Sequence, residues 1–274
     1  MSQKNMDLQQ RQQFYIDCIE RLNGGAIARL SWENLYLLLD DLTEKLPLIL
    51  HPLKKTDKFI RGRILSDIEP FPTIKTLSYP PVEKCHAFGR CNKPHEPVLY
   101  SGVGSELIFS EIGAKIGDIV GLLYICPVRD LFIARLGALE LWRRTNGMCL
   151  MNGDIKAEIK KIYLNPENII AFLLDAFISD HFSRPSSPDT YKLTSAYTSC
   201  ILDSNKDIAG LIYDSVDHTK GACLAIKPIV FDEYLQPTEV QIVRITNYLG
   251  YGVYDFEEIH FSNKFEDDTI SWDR

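Results

Sequence analysis

Apolar residues at helical spacing open the chain. Tyr15, Cys18, Ile19 and Leu22 fall on one face of a segment from Leu8 to Leu22, and Asn23-Gly24-Gly25 stops it. A second helix begins behind Ser31, a good N-cap residue. It carries Trp32, Leu35, Leu38, Leu39 and Leu42 inward and ends before Pro47. After the polar linker Lys54-Lys55-Thr56-Asp57-Lys58 the period changes to two. Phe59-Ile60-Arg61-Gly62-Arg63-Ile64 alternates as a half-buried strand does, with both arginines on one face. This change of pattern sets a boundary near Leu53, giving a helical segment over 1–53 and a larger domain over 54–274.

Glu69 to Pro97 is rich in proline, glycine and small polar residues and reads as a long irregular loop of the functional kind. Ser105 is placed to cap a short helix through Ile112, and Ile119 to Val128 is an apolar run of buried-strand character. Asn165-Pro166 starts the strongest helical pattern, carried by Ile169, Ile170, Leu173, Leu174, Phe177 and Ile178, which stops before Arg184-Pro185. A helix from Leu193 to Leu202 leads to strands at Ala209–Tyr213 and Ala222–Ile226. Alternation at Val240, Ile242, Val243 and Ile245, then Val253, Phe256, Ile259 and Phe261, closes the sheet. No repeat or low-complexity tract interrupts this order, and the fold class it predicts is α+β.

Composition changes the picture in a few places. At 274 residues, 45% hydrophobic and 24% charged, the chain has ordinary globular values and enough apolar residues for a substantial core. A net charge of −7, with no basic block to relieve it, argues against DNA or RNA as partners. No apolar run is long enough to span a bilayer, and Met1-Ser2-Gln3-Lys4-Asn5 lacks the apolar core of a secretory signal, so the expected location is the cytoplasm. Seven scattered cysteines suit reduced thiols better than a disulfide framework.

The residues that carry chemistry form an ordered series: Phe59-Ile60-Arg61-Gly62-Arg63, Tyr79-Pro80-Pro81, Gly89-Arg90-Cys91-Asn92, Pro97-Val98-Leu99-Tyr100, Ser110-Glu111, Tyr191-x-x-Thr194 and Gly210-Leu211-Ile212-Tyr213-x-Ser215-Val216. From about Phe59 to Ile226 this series closely resembles the RES domain, named for an arginine, a glutamate and a serine. The resemblance implies an ADP-ribosyltransferase-like split, mostly antiparallel sheet with flanking helices. It also implies an enzyme that attacks NAD at the nicotinamide-ribose bond, with NAD as substrate and no metal, and in many members a toxin paired with an antitoxin protein. It leaves water, phosphate or a protein as the acceptor, and a homodimer open.

On this resemblance Glu111 is the carboxylate that stabilises the oxocarbenium charge developing on the ribose. Arg61 and Arg90 hold the pyrophosphate, since a guanidinium fork matches phosphate oxygens. Asn92 and Ser215 complete the NAD contacts, and Tyr100 clamps nicotinamide and ribose. Thr194 is favoured as the third named position, with Ser195 and Ser215 as competitors. The chain departs from the family pattern at Ile60, at Ser195 and at His95-Glu96.

Each of these residues also has a plainer reading. A single arginine is ordinarily a solvated side chain or a structural ion pair, and Tyr100 in an apolar strand is as well suited to core filling. Glu106 competes with Glu111, and on a helix the two project about 140° apart, so one of them faces any given pocket. Cys85, His86, Cys91 and His95 have ligand chemistry, but their spacing fits neither usual zinc gap. His181 and His218 are candidate bases without a discernible partner.

Overall fold

The computed structural model describes residues 6–44, 46–148, 151, 153–216 and 221–272. The chain begins with α1 (Leu8–Arg21), a short α2 (Ile27–Arg29) and α3 (Trp32–Thr43), followed by β1 (Leu50–Leu53), β2 (Phe59–Leu65) and β3 (Leu99–Gly102). Next come α4 (Ser105–Glu111), β4 (Ile119–Pro127), β5 (Leu131–Arg135) and the helices α5 (Ala138–Arg144), α6 (Gly153–Tyr163), α7 (Ile169–Phe182) and α8 (Pro188–Ser204). The last part holds β6 (Ile208–Asp214), β7 (Ala222–Ile226), α9 (Pro228–Tyr234), β8 (Leu235–Gly250), β9 (Val253–Ser262), β10 (Phe265–Glu266) and β11 (Thr269–Ile270). The class is α+β, as the pattern predicts.

The chain divides into two compact units that exchange the backbone several times. The first takes the residues up to His51 with 86–96 and 134–208, and the second takes 52–85, 97–133 and the residues from Ala209 on. The first helices, for which the sequence suggests a boundary near Leu53, share their unit with 86–96 and 134–208. Two helices cannot bury an apolar stripe by themselves. Leu35, Leu39 and Leu42 of α3 are fully buried, Trp32 Nε1 donates to Ser195 Oγ of α8 at 3.1 Å, and Tyr36 donates to Asp203 at 3.2 Å.

Local signals operate as expected in this helical unit. Asp7 caps α1 by accepting from Gln10 N at 2.9 Å, while the Gln10 side chain accepts from Asp7 N in return. Ser31 accepts from Asn34 N at 3.2 Å. Gly25 breaks the first helix with φ of +90°, a conformation that glycine adopts at little cost. A second cluster of Ile49, Ala138, Leu139, Ile155, Ile159, Ile162, Ala171 and Phe172 holds α5, α6 and α7 together.

The sheet has nine strands in the order β1-β5-β6-β7-β3-β2-β4-β8-β9 and lies in the second unit, apart from the ends of β1, β5 and β6. From β6 outward to β9 every neighbour is antiparallel. β2 pairs β4 along its whole length, Phe59↔Ile125 to Leu65↔Ile119, yet meets β3 through Ile60↔Gly102 alone. The sheet thus parts between β2 and β3. One face is covered by α4, whose Ile108 and Phe109 pack with Ile60, Val120, Leu122, Val243 and Ile245. The opposite face carries Phe59, Leu99, Leu123, Ile125, Leu224 and Ile226, covered by the loop residues Ile74 and Leu77 and by Val230 and Phe231 of α9.

Candidate functional site

The two units hold different members of the predicted set, and each set has its own surroundings. Arg61, Tyr100, Glu111 and Ser215 belong to the sheet unit, and Arg90, Asn92 and Thr194 to the helical unit.

In the sheet unit, alternation along the strands decides which side chains share a face. A Cβ on Gly62 would come within 2.1 Å of Ile108 Cγ2, and one on Gly102 within 2.8 Å of Leu107 Cδ2, so residues 62 and 102 face α4. Tyr100, two residues from Gly102, faces α4 as well. Arg61 and Ser101 leave their strands on the other face.

Glu111 ends α4 and is exposed, and its carboxylate accepts a hydrogen bond from the Ser215 hydroxyl. Ser215 follows β6 immediately, and its N–H donates to Gly221 O at 2.8 Å, which extends the β6-β7 ladder to the height of α4. Among the three hydroxyls weighed from sequence, Ser215 is the one that meets the carboxylate. Thr194 and Ser195 are fully buried within α8. Thr194 donates to Tyr191 O at 3.5 Å and Ser195 to Lys192 O at 3.1 Å. Thr194 also lies in the second turn of its helix, not at the start. The Gly104 residue precedes α4 with φ of +93°, so Ser105 is the first helical residue and not the cap.

Arg61 is built into the parting of the sheet. Its Nη1 donates to Tyr100 O at 3.0 Å, where β2 no longer supplies a backbone donor. Its Nε is buried without an acceptor, and so is the hydroxyl of Ser101 on the same face. Loss of solvent, with the Arg63 charge beside it, lowers the Arg61 pKa from its ordinary value. Arg63 donates to Thr76 O at 3.0 Å. Among the described residues no hydrogen bond or ion pair joins Arg61 to Glu111. A serine inside Val98-Leu99-Tyr100-Ser101-Gly102 carries no sequence motif of its own.

In the helical unit, Arg90 closes the C-terminal end of α7. Its Nη1 donates to Phe182 O at 2.6 Å and its Nη2 to Arg184 O at 3.2 Å, and its guanidinium lies over the Tyr191 ring at 5.3 Å. A cation here meets the negative end of the helix dipole and two carbonyls that the helix cannot use. Arg90→Ala is expected to cost about 1.5–3 kcal/mol of stability, the usual worth of hydrogen bonds from a charged group. Chemical denaturation of wild type and variant checks it. Asn92 is buried, and its side-chain amide donates to Lys93 O at 3.0 Å.

His181, a candidate base, is 2% exposed on α7. Loss of solvent, reinforced by Arg184, brings its pKa down to about 4, so the ring is neutral near pH 7. Asp175, one turn and a half earlier, is shifted the other way: burial raises its carboxyl to about 6, against N–H bonds from Glu140 and Gly137 at 2.9 Å. The raised carboxyl contributes stability at low pH that is lost as pH rises through about 6. The lowered imidazole contributes stability at neutral pH that is lost as pH falls from 6.5 towards 4. These slopes oppose each other in the same window. Thermal melts between pH 4 and 7 are therefore expected to be flat for the wild type in this respect. Asp175→Asn should leave a loss of stability as pH falls towards 4, and His181→Gln a loss as pH rises through about 6. His218 lies outside the described residues.

The rings of His86 and His95 stand edge to face at 6.4 Å, and among the described residues no three histidine, cysteine or acidic side chains gather as a metal would need. Among the described residues Cys18, Cys85, Cys91, Cys126, Cys200 and Cys223 form no disulfide. Among the described residues no helix is long and apolar enough to cross a membrane. Comparison with models of protein families, with curated proteins and with solved structures finds no match to this chain.

Proposed function

We propose that this protein consumes NAD, breaking the nicotinamide-ribose bond and passing ADP-ribose to water, phosphate or a protein. The observation that carries this reading is the meeting of Glu111 with Ser215, two residues 104 positions apart in the chain. They are the glutamate and one of the serines of the ordered series that resembles the RES domain. Tyr100, on the face that α4 covers, supports the same reading.

Chemically, an exposed carboxylate such as Glu111 is a group that stabilises a cationic ribose, and its hydrogen bond from the Ser215 hydroxyl directs it. Tyr100 offers a ring for nicotinamide. Arg61 leaves β2 on the face opposite Tyr100 with its Nε buried, so it reaches a phosphate oxygen only if its side chain rearranges. Arg90 takes a phosphate only by releasing the carbonyls of Phe182 and Arg184. The decisive assay incubates purified protein with NAD and each acceptor class in turn. Nicotinamide release with at least one acceptor supports the reading, and NAD left intact under every condition overturns it. If the activity is toxin-like and cytoplasmic, expression without an antitoxin protein depletes cellular NAD and stops growth.

One observation favours a second reading, a RES-like module that binds a nucleotide or protein without catalysis. Both Arg61 and Arg90 spend donors on main-chain carbonyls. Such a module would be stabilised thermally by NAD while leaving it unconsumed.

A further inference from the structure

We infer that the outer edge of β9 takes up an extended, basic segment of a partner protein as an additional strand. β9 is the last strand of the sheet order, so its outer backbone groups have no ladder among the described residues. Open edges of this length are ordinarily shortened, covered or paired. Here Asp255, Phe256, Glu257 and Glu258 are exposed in succession.

The side chains state what kind of strand fits. On the face towards α4, Phe256 packs edge-on against Phe109 at 5.2 Å yet remains 40% exposed. A cleft of about 560 Å³ opens beside it, lined by Val103, Ser105, Glu106, Gly221, Tyr251 and Phe256, with Tyr251 82% exposed. Glu258, opposite Val243, shares this face with Phe256, and neither Glu106 nor Glu258 has an ion-pair partner among the described residues. On the other face Glu257 is paired with Arg244, and Asp255 accepts only from Asn247 at 3.4 Å. Apolar rings and uncompensated carboxylates on one face fit a segment that carries both apolar residues and lysine or arginine on the face it turns to α4, at every second residue. Its main chain would complete the ladder, and its cations would reach Glu106 and Glu258.

A second copy of this chain fits the edge poorly. Antiparallel self-pairing about a two-fold axis at Asp255, Phe256 or Glu257 sets Asp255 against itself, Asp255 against Glu257, or Glu257 against itself. Like charges placed directly opposite are destabilising.

The test uses a labelled, capped peptide of repeating valine-threonine-lysine-threonine, which puts valine and lysine on one face, with glutamate in place of lysine in the control. Fluorescence anisotropy should show saturable, salt-sensitive binding of the basic peptide alone, and hydrogen exchange should show new protection between Val253 and Glu258. Glu106→Lys and Glu258→Lys, both at exposed positions, should each weaken binding roughly tenfold, as reversal of a contact charge does. The inference is overturned by equal binding of the acidic peptide, by variants that bind as the wild type does, by protection elsewhere than β9, or by absence of binding. It is also overturned if the protein alone is a dimer whose β9 amides are already protected.

Discussion

On the NAD chemistry proposed above, Glu111→Ala is expected to leave the protein folded and to lower NAD turnover by about 10²-fold or more, the effect of removing one electrostatic stabiliser of transition-state charge. The fold should tolerate the change because the Glu111 side chain is exposed at the end of α4 and its structural bond is the one from Ser215. Leu107, Ile108 and Phe109, which hold α4 on the sheet, are untouched. Ser215→Ala should cost less, since it removes the group that directs the carboxylate and not the carboxylate itself. The measurement is nicotinamide release alongside a thermal melt. Near-normal turnover in Glu111→Ala with an unchanged melt would remove Glu111 from the chemistry.

Gly210→Ala should cost about 3 kcal/mol or more of stability, at the upper end of overpacking or beyond it. A Cβ at this position would stand 2.1 Å from Ala225 O and 2.9 Å from Ile226 Cα, both main-chain atoms of β7. A rotamer change cannot relieve that contact, so β6 would have to move from β7, carrying Ser215 away from Glu111. The comparable change at Gly62 meets the Ile108 side chain, which has some freedom to turn, and should cost less. Denaturant midpoints of the two variants decide the order. A Gly210→Ala protein as stable as the wild type would contradict the close approach of β6 and β7.

The glycine of Gly210-Leu211-Ile212-Tyr213 thus has a packing reason that its place in a motif does not disclose. Other elements were legible directly. The 3.6-residue pattern of Ile169 to Ile178 became α7, the alternation around Arg61 became β2, and Ala222–Ile226 is β7 at the predicted ends. In each case the local pattern and the tertiary burial agree. α5 and α9, each of seven residues, were not seen, because two turns hold too few apolar positions to show a period. α6 was missed too, although Ile155, Ile159 and Ile162 form its buried stripe, since lysines and glutamates occupy the positions between them.

Sequence by itself determined the α+β class, the strand that bears Arg61, the short helix that bears Glu111 and the acidic character of the chain, because spacing and charge are local properties. Tertiary structure alone decided that Ser215 and not Thr194 meets Glu111, and that Arg61 and Arg90 are bonded to carbonyls of Tyr100, Phe182 and Arg184. It alone placed the first helices with α5–α8. The physical reason is the same throughout: these contacts join residues 39 to 167 positions apart, and which distant donor reaches which acceptor depends on how strands part and helices end.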